Sequence, residues 1–236
     1  MTNELKDTIT PISSQDMVYN LANAWNYLYN EIPKKESITV LLSQSSLECG
    51  QGYKFCHNYN YGNAKSIDGD GFDYVFYKCN EILKVNVAKA LLTTMDKDGG
   101  TATITGVRSD GLCNVDFYPK HKYCRFRAFN SAQEGAVYYL GMLHNRFKYA
   151  WPAVLNGDPA SFVHSLKKMG YFTADEAPYT KAVVSLFNQF QKLEFDPDKI
   201  GLFTEQAKQN ILNLVTLTTT TFAEDEIANN KSTDNS

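Results

Sequence analysis

Ser43 to Lys65 reads SQSSLECGQGYKFCHNYNYGNAK, and the rest of the chain is read outward from this stretch. It opens as the end of a helix. Ile38, Leu41, Leu42, Ser45 and Leu47 make an apolar or small face at helical spacing. Glu48 ends that face, and Gly50 and Gly52 break the helix. A carboxylate in a last helical turn opposes the helix dipole, which favours cations there by roughly 0.3–1 kcal/mol. The same penalty favours the protonated carboxyl, the form a general acid needs. Position alone reads Glu48 first as a solvated surface residue, since exposed glutamate is the usual case. After the glycines come Tyr53, Phe55, Tyr59 and Tyr61, interleaved with His57, Asn58, Asn60 and Asn63. Rings that stack on pyranose faces, beside amides that bond hydroxyl and N-acetyl groups, are the side chains a sugar-binding cleft uses.

Two blocks of this stretch resemble a known family. Glu48-Cys49-Gly50-Gln51-Gly52 resembles the ESGWG-type motif of peptidoglycan N-acetylglucosaminidases, the lysozyme-like hydrolases of autolysins, flagellar rod hydrolases and phage lytic proteins. Asn60-Tyr61-Gly62-Asn63-Ala64-Lys65 resembles that family's N-x-(F/Y)-G-(I/N)-x-K segment. Further on, FRAFNSAQEG from Phe126 is similar to its F-R-x-Y-x-S-x-x-E segment. GYFTADEAPYTKAV from Gly170 is similar to its G-Y-A-T-D-x-x-Y-A segment. The resemblance runs from Val18 to Phe190, with a looser and longer match between Ile67 and Tyr123. Two departures stand in the first block. Cys49 replaces the usual serine, and Gln51 replaces the usual tryptophan, which removes a ring.

The resemblance implies an α+β, lysozyme-like fold: a helical body with an enlarged antiparallel β-lobe flanking the active-site cleft. It implies cleavage of β-1,4 bonds in glycan strands, as an endo-β-N-acetylglucosaminidase. A muramidase or lytic transglycosylase would use the same acid. Glu48 is then the acid that protonates the leaving oxygen. Glu81, in Lys78-Cys79-Asn80-Glu81, looks like the family's lobe carboxylate, with Asp73 and Asp116 as rivals. Tyr171 matches the tyrosine of the family's G-Y-A-T motif. Gln51, Tyr53, Asn60, Tyr61, Asn63 and Tyr179 are the expected substrate contacts. Without the resemblance, Glu81 reads as a solvated strand-end residue and Tyr171 as a core aromatic beside a helix stop. No cofactor is implied.

Composition bounds these readings. The 236 residues suffice for one good core with a tail. A net charge of −3 supplies no basic field for nucleic acid. No run of about 18 apolar residues offers a membrane span. Five cysteines, an odd number, point to reduced thiols. His57 and His121 lie near cysteines, but at spacings that suit no common zinc module. Met1 to Thr10 has no apolar core of a secretory leader, so cytoplasmic synthesis is expected. A wall substrate would then be reached through a phage particle, holin-assisted lysis or an injection machine. That makes peptidoglycan glycan strands and phage tail or other delivery proteins the expected partners. The alternative is a catalytically inactive wall-binding or tail component on the same fold, which Cys49, Gln51 and the long lobe motivate.

In chain order, residues 1–12 read as an arm, 13–222 as the domain with its β-lobe at about 67–129, and 223–236 as a disordered tail. Ser13 and Asp16 cap a helix running to Ile32, and Ser37 caps the helix that ends at Glu48. Ser66 to Gly71 reads as a turn rather than a calcium loop. Strands are expected over 74–78, 101–107, 112–118 and 123–129, with a hairpin at Arg108–Gly111. Residues 85–95 drift toward period two, and 86–94 fit helix or strand. Asp96–Gly100 is a second turn. Later helices are expected from the capping box Ser131/Glu134 to Leu143, from Asp158 to Met169, from Glu176 to Phe190, and over 201–222.

Overall fold

The computed structural model describes residues 2–93, 100–201, 203, 209 and 211. Its helical body is assembled around α2 (Lys35–Glu48), whose residues from Ser37 to Ser46 are all buried. α2 is not amphipathic in the usual sense. Most of its buried polar side chains are small, and several bond back to the helix's own carbonyls. Thr39 Oγ1 donates to Lys35 O at 2.8 Å, and Ser43 Oγ donates to Thr39 O at 2.6 Å. α2 packs against α1 (Ser14–Tyr29), and α1 in turn packs on α4 (Ala132–Asn145).

The helix ends follow local chemistry. Ser13 Oγ accepts from Asp16 N at the start of α1. α1 stops at Tyr29, three residues short of the expected Ile32. Asn30 takes a left-handed φ of 53° and bonds Asn26 O, and Ile32 is left half exposed. α2 begins at Lys35 rather than at Ser37, which is buried inside it and caps nothing. Ser131 caps α4 as expected, its Oγ accepting from Glu134 N at 3.2 Å, while Glu134 Oε2 reaches one residue past the cap to accept from Asn130 N at 3.1 Å. A short α5 (Trp151–Leu155) was not expected. α6 (Pro159–Lys168) is capped by Asp158, and α7 (Glu176–Phe190) has the expected bounds. α4 comes so close to the loop before the lobe that a Cβ on Gly135 would stand 2.0 Å from Tyr59 O.

Among the described residues the lobe holds two antiparallel sheets. β1 (Tyr74–Phe76) pairs with β5 (Arg125–Arg127) in the register Tyr74 to Arg127. β2 (Cys79–Lys84), β3 (Ala102–Val107) and β4 (Leu112–Phe117) form a second sheet in the order β2-β4-β3. The hairpin turn closes as expected, with Arg108 N donating to Leu112 O at 2.7 Å. β2 lies where no separate strand was expected, and β1 and β5 are shorter than expected. The ambiguous segment is a helix, α3 (Val85–Thr93). Val85, Ala88 and Leu91 recur at helical spacing and pack on Cys113, Val115 and Phe117 of the sheet. Of the helix expected over 201–222, Gly201, Phe203, Gln209 and Ile211 are described, and Ile211 is buried in the main core. The remainder of that helix, the turn at 96–99 and the tail over 223–236 lie outside the described residues.

This is the expected α+β arrangement: a helical body beside an antiparallel lobe, with a cleft between them. The first residues strap the two together. Leu5 N donates to Tyr74 O at 2.7 Å, and Tyr74 N donates to Asn3 O at 3.0 Å. Thr10 N then donates to Cys56 O, and Asn58 N to Thr8 O. No helix among the described residues is long and apolar enough to cross a membrane.

A buried ion pair fixes the turn that enters the lobe. Arg127 Nε donates to Asp70 Oδ2 at 3.0 Å, and the guanidinium lies over Phe72 and also bonds Tyr138 Oη. Asp70 accepts Ile67 N and Phe72 N as well, so this aspartate of the SIDGDG turn is structural. Asp70→Ala leaves the Arg127 charge buried without its partner. A loss of about 3–5 kcal/mol is expected, read as a lower urea midpoint with unchanged slope.

Candidate active site

Glu48 is the last residue of α2, and its carboxyl faces the cleft between body and lobe. Both oxygens are engaged. Tyr179 Oη donates to Oε1 at 2.6 Å, and Gln44 Nε2 donates to Oε1 at 3.1 Å. Asn63 Nδ2 donates to Oε2 at 3.2 Å and to the backbone oxygen of Glu48 at 2.8 Å. That second bond satisfies a carbonyl the ending helix leaves open. Gln44 is itself held, since its amide donates to Tyr179 Oη at 3.0 Å and accepts from Tyr139 Oη. Burial pushes the Glu48 carboxyl above the usual carboxylate range. The bonds from Tyr179, Asn63 and Gln44 act in the opposite direction, and the negative charge of Glu81 adds a smaller upward push. The outcome is a carboxyl that keeps its proton to higher pH than a solvated glutamate does.

The cleft encloses about 540 Å³. On the body side stand Tyr171, Phe172 and Tyr179, with the rings of Phe172 and Tyr179 stacked at 4.0 Å. On the lobe side a column of rings lines it. His57 stacks on Tyr77 at 3.9 Å, and Tyr77 stacks on Phe126 at 4.0 Å. Tyr77 Oη reaches across to Asn63 Oδ1 at 3.2 Å, which ties this column to the amide that holds Glu48. Glu81, on β2, faces the same cleft and pairs with Lys65 Nζ at 3.1 Å. Lys65 is positioned in turn by Tyr123 O at 2.6 Å and by the Phe126 ring, 3.9 Å from its ammonium. Donors, a carboxylate and flat rings thus line one groove, which suits a polar ligand with apolar faces.

Of the residues singled out by sequence, Glu48, Glu81, Tyr171, Asn63 and Tyr179 line this cleft. Tyr171 Oη donates to Gly62 O at 3.0 Å, which joins α6's end to the loop beneath Glu48. Four expected substrate contacts do not reach it. Tyr53 is fully buried, with its hydroxyl 2.6 Å from Ser45 Oγ, and Tyr61 is buried in the same core. Asn60 is buried too, spending its amide on Ala64 and on Arg127 O. Gln51 is exposed on the turn after α2, away from the cleft lining. The reason is backbone geometry. Gln51, Tyr53, Asn58, Tyr59 and Asn63 all take left-handed φ values, so side-chain direction cannot be read from spacing. The rivals of Glu81 are occupied elsewhere. Asp73 accepts from Asn3 N at 2.8 Å, and Asp116 pairs with Lys78 at 2.8 Å. Cys49 is buried, and burial pushes its thiol well above the usual range, which suits no nucleophile. Among the described residues no cluster of three His, Cys, Asp or Glu could hold a metal ion.

Sequence reasoning missed Gln44, Tyr77, Phe126 and Phe172. Gln44 lies one turn before Glu48 on the same helix face, and that i, i+4 spacing was a usable signal. Tyr77 and Phe126 carried none, because their partnership depends on the β1–β5 pairing.

No protein-family model matches the chain, and no curated protein matches it. Among solved structures it is similar to a peptidoglycan hydrolase mutant from Sphingomonas sp. A1. The identity is 17%, over 85% of this chain and 97% of that one, with a TM-score of 0.48. It is also similar to a C-terminally truncated glycoside hydrolase domain from Salmonella typhimurium FlgJ. There the identity is 16%, over 77% of this chain and all of that one, with a TM-score of 0.39.

The Glu48 environment makes a stability prediction. A carboxyl whose native pKa is raised costs nothing while it is protonated in both states, below the ordinary carboxylate pKa. The cost grows as pH rises above that value and levels off above the raised native pKa. Glu48→Gln is therefore expected to raise Tm at pH 7 and to change it little at about pH 3. Each kcal/mol gained moves Tm by roughly 2–4 °C at this chain length. Equal gains at both pH values in a calorimetric scan would contradict the desolvated carboxyl.

Proposed function

We propose that this chain cleaves β-1,4 bonds in the glycan strands of peptidoglycan, with Glu48 as general acid, and that it does so as an endo-β-N-acetylglucosaminidase. The observation that carries the reading is the Glu48 carboxyl, half-buried at the cleft wall and held by three donors while desolvation favours its proton. Glycosidic cleavage needs such an acid beside the leaving oxygen. The sequence departures at Cys49 and Gln51 remove no cleft group, since Cys49 is buried under the loop and Gln51 points away.

The rest of the cleft supports the same chemistry. On the body side the half-buried Phe172 and Tyr179 offer ring surface to a sugar, while on the lobe side Tyr77, sandwiched between His57 and Phe126, presents its edge and hydroxyl. Asn63 and Tyr179 hold the acid in one orientation, so no reorganisation is needed when the proton moves. Glu81 is the nearest candidate for the second role. Paired with Lys65 across the groove from Glu48, it would stabilise the oxocarbenium-like centre or orient water. The substrate's own acetamido group is the competing occupant of that role.

Incubation of the protein with purified peptidoglycan should release fragments with reducing-end N-acetylglucosamine, seen by mass spectrometry. Glu48→Gln should lower the rate by about 10²–10⁴-fold while wall binding persists. Release of reducing-end or anhydro-muramic products would reassign the bond, and no release at all would end the hydrolase reading. Activity should fall as pH rises through the raised Glu48 pKa. Tyr179→Phe removes a donor that favours the anion, so that descending limb should move to higher pH. A shift to lower pH would assign the limb to another group.

A further inference from the structure

A second groove opens on the lobe side of the Glu48 cleft. It encloses about 890 Å³ and adjoins that cleft, with Lys65, Glu81 and Thr173 lining both. One wall is apolar, built from Tyr74, Phe76, Leu83 and Tyr123. The remainder is charged, with Lys65, Lys120, Lys122 and Arg125 facing Glu4, Asp68 and Glu81. Two polar groups at its base have no hydrogen-bond partner. Arg125 and Ser66, each more than nine-tenths buried, leave Nε and Oγ unbonded. They are neighbours, since Ser66 N donates to Arg125 O at 3.1 Å. A buried donor left unmade is a cost that an acceptor from a ligand would relieve.

Arg125 is otherwise set for a carboxylate. Its guanidinium lies over the Tyr74 ring, 3.7 Å from the centroid, which fixes the plane of its donors. Its present ion-pair partner is Asp68, whose side chain is 96% exposed on the turn that enters the lobe. An exposed carboxylate on a loop is a partner that a better-placed one can displace. The combination of a planar fork, two unbonded buried groups and an apolar wall recognises a carboxylate carried on an aliphatic chain.

We propose that this groove binds a carboxylate of the peptide stem on the glycan strand being cleaved, with Asp68 occupying the fork until the stem arrives. The proposal rests on the peptidoglycan reading above. It would make the enzyme prefer stem-bearing strands over bare glycan.

A titration read by nitrogen-15 NMR, with the full chain and L-alanyl-γ-D-glutamyl-L-lysyl-D-alanine, reports binding without turnover. Shifts are expected at Ser66, Tyr74, Tyr123 and Arg125. Arg125→Gln should weaken the peptide about tenfold. Asp68→Asn, on an exposed side chain that folding does not need buried, should tighten it by removing the internal competitor. Equal binding of the carboxyl-amidated peptide would overturn the proposal. So would binding of inorganic phosphate but not of the peptide, or an unchanged affinity in Asp68→Asn. In turnover, the ratio of kcat/KM for whole peptidoglycan to that for amidase-stripped glycan should fall in Arg125→Gln, and an unchanged ratio would also overturn it. If the peptide titrates as described while wild type cleaves neither substrate, carboxylate recognition by the groove stands and the hydrolase reading fails.

Discussion

Holding the half-buried carboxyl of Glu48 at the cleft wall is the constraint around which this structure is arranged. A carboxyl at the C-terminal end of a buried helix meets an unfavourable dipole and little water. It is retained because donors from three separate parts of the chain converge on it. Gln44 comes from the same helix, Asn63 from the loop that follows, and Tyr179 from α7. Each is fixed by a further contact, Gln44 by Tyr139, Asn63 by Tyr77 and Tyr179 by the ring of Phe172. The body and lobe are therefore coupled through the environment of a single side chain. Packing of α7 on α2 has a chemical purpose in addition to a stabilising one, because it brings Tyr179 to the acid.

The second organising contact lies at the entry to the lobe. The Arg127–Asp70 pair is buried among Phe72 and Tyr138, and each partner also holds backbone or hydroxyl groups. A buried pair of this kind is weak as a source of net stability but strong as a specification of geometry, since losing either partner strands a charge. Here it sets where the turn over 67–72 crosses to β1. That placement also determines where Asp68 and Arg125 meet, at the edge of the second groove.

Much of this was legible in the sequence, and the boundary of legibility has a physical cause. The bounds of α7, the Ser131 cap of α4 and the hairpin at Arg108–Gly111 follow from local rules that tertiary packing did not override. Glu48 was legible because a carboxylate before a glycine break is locally out of place. The loop from Gly50 to Asn63 was not, because five of its non-glycine residues take left-handed backbone angles. Each such residue turns the chain away from any regular alternation, so Tyr53 and Tyr61 enter the core while Phe55 and Asn63 reach the cleft. The segment Val85–Thr93 read ambiguously because Val85 and Val87 sit at strand spacing while Val85, Ala88 and Leu91 sit at helical spacing, and the sheet beneath it decided the outcome. Tyr77 and Phe126 belong to the site only through long-range strand pairing, which no local pattern encodes.

The strap formed by the first residues has a mechanical consequence. Two chain crossings, near Lys65 to Tyr74 and near Arg127 to Asn130, join lobe to body. Two crossings alone make a hinge, about which a lobe can rock. The strap adds a third attachment, because residues 3–5 are bonded to β1 of the lobe while residues 8–10 are bonded to the loop at 56–58. Asp7 reinforces it by pairing with His57, the outermost ring of the cleft column, at 2.5 Å. The backbone bonds of the strap oppose that rocking, so a motion that carries the lobe away from the loop at 56–58 must break them on one side or the other.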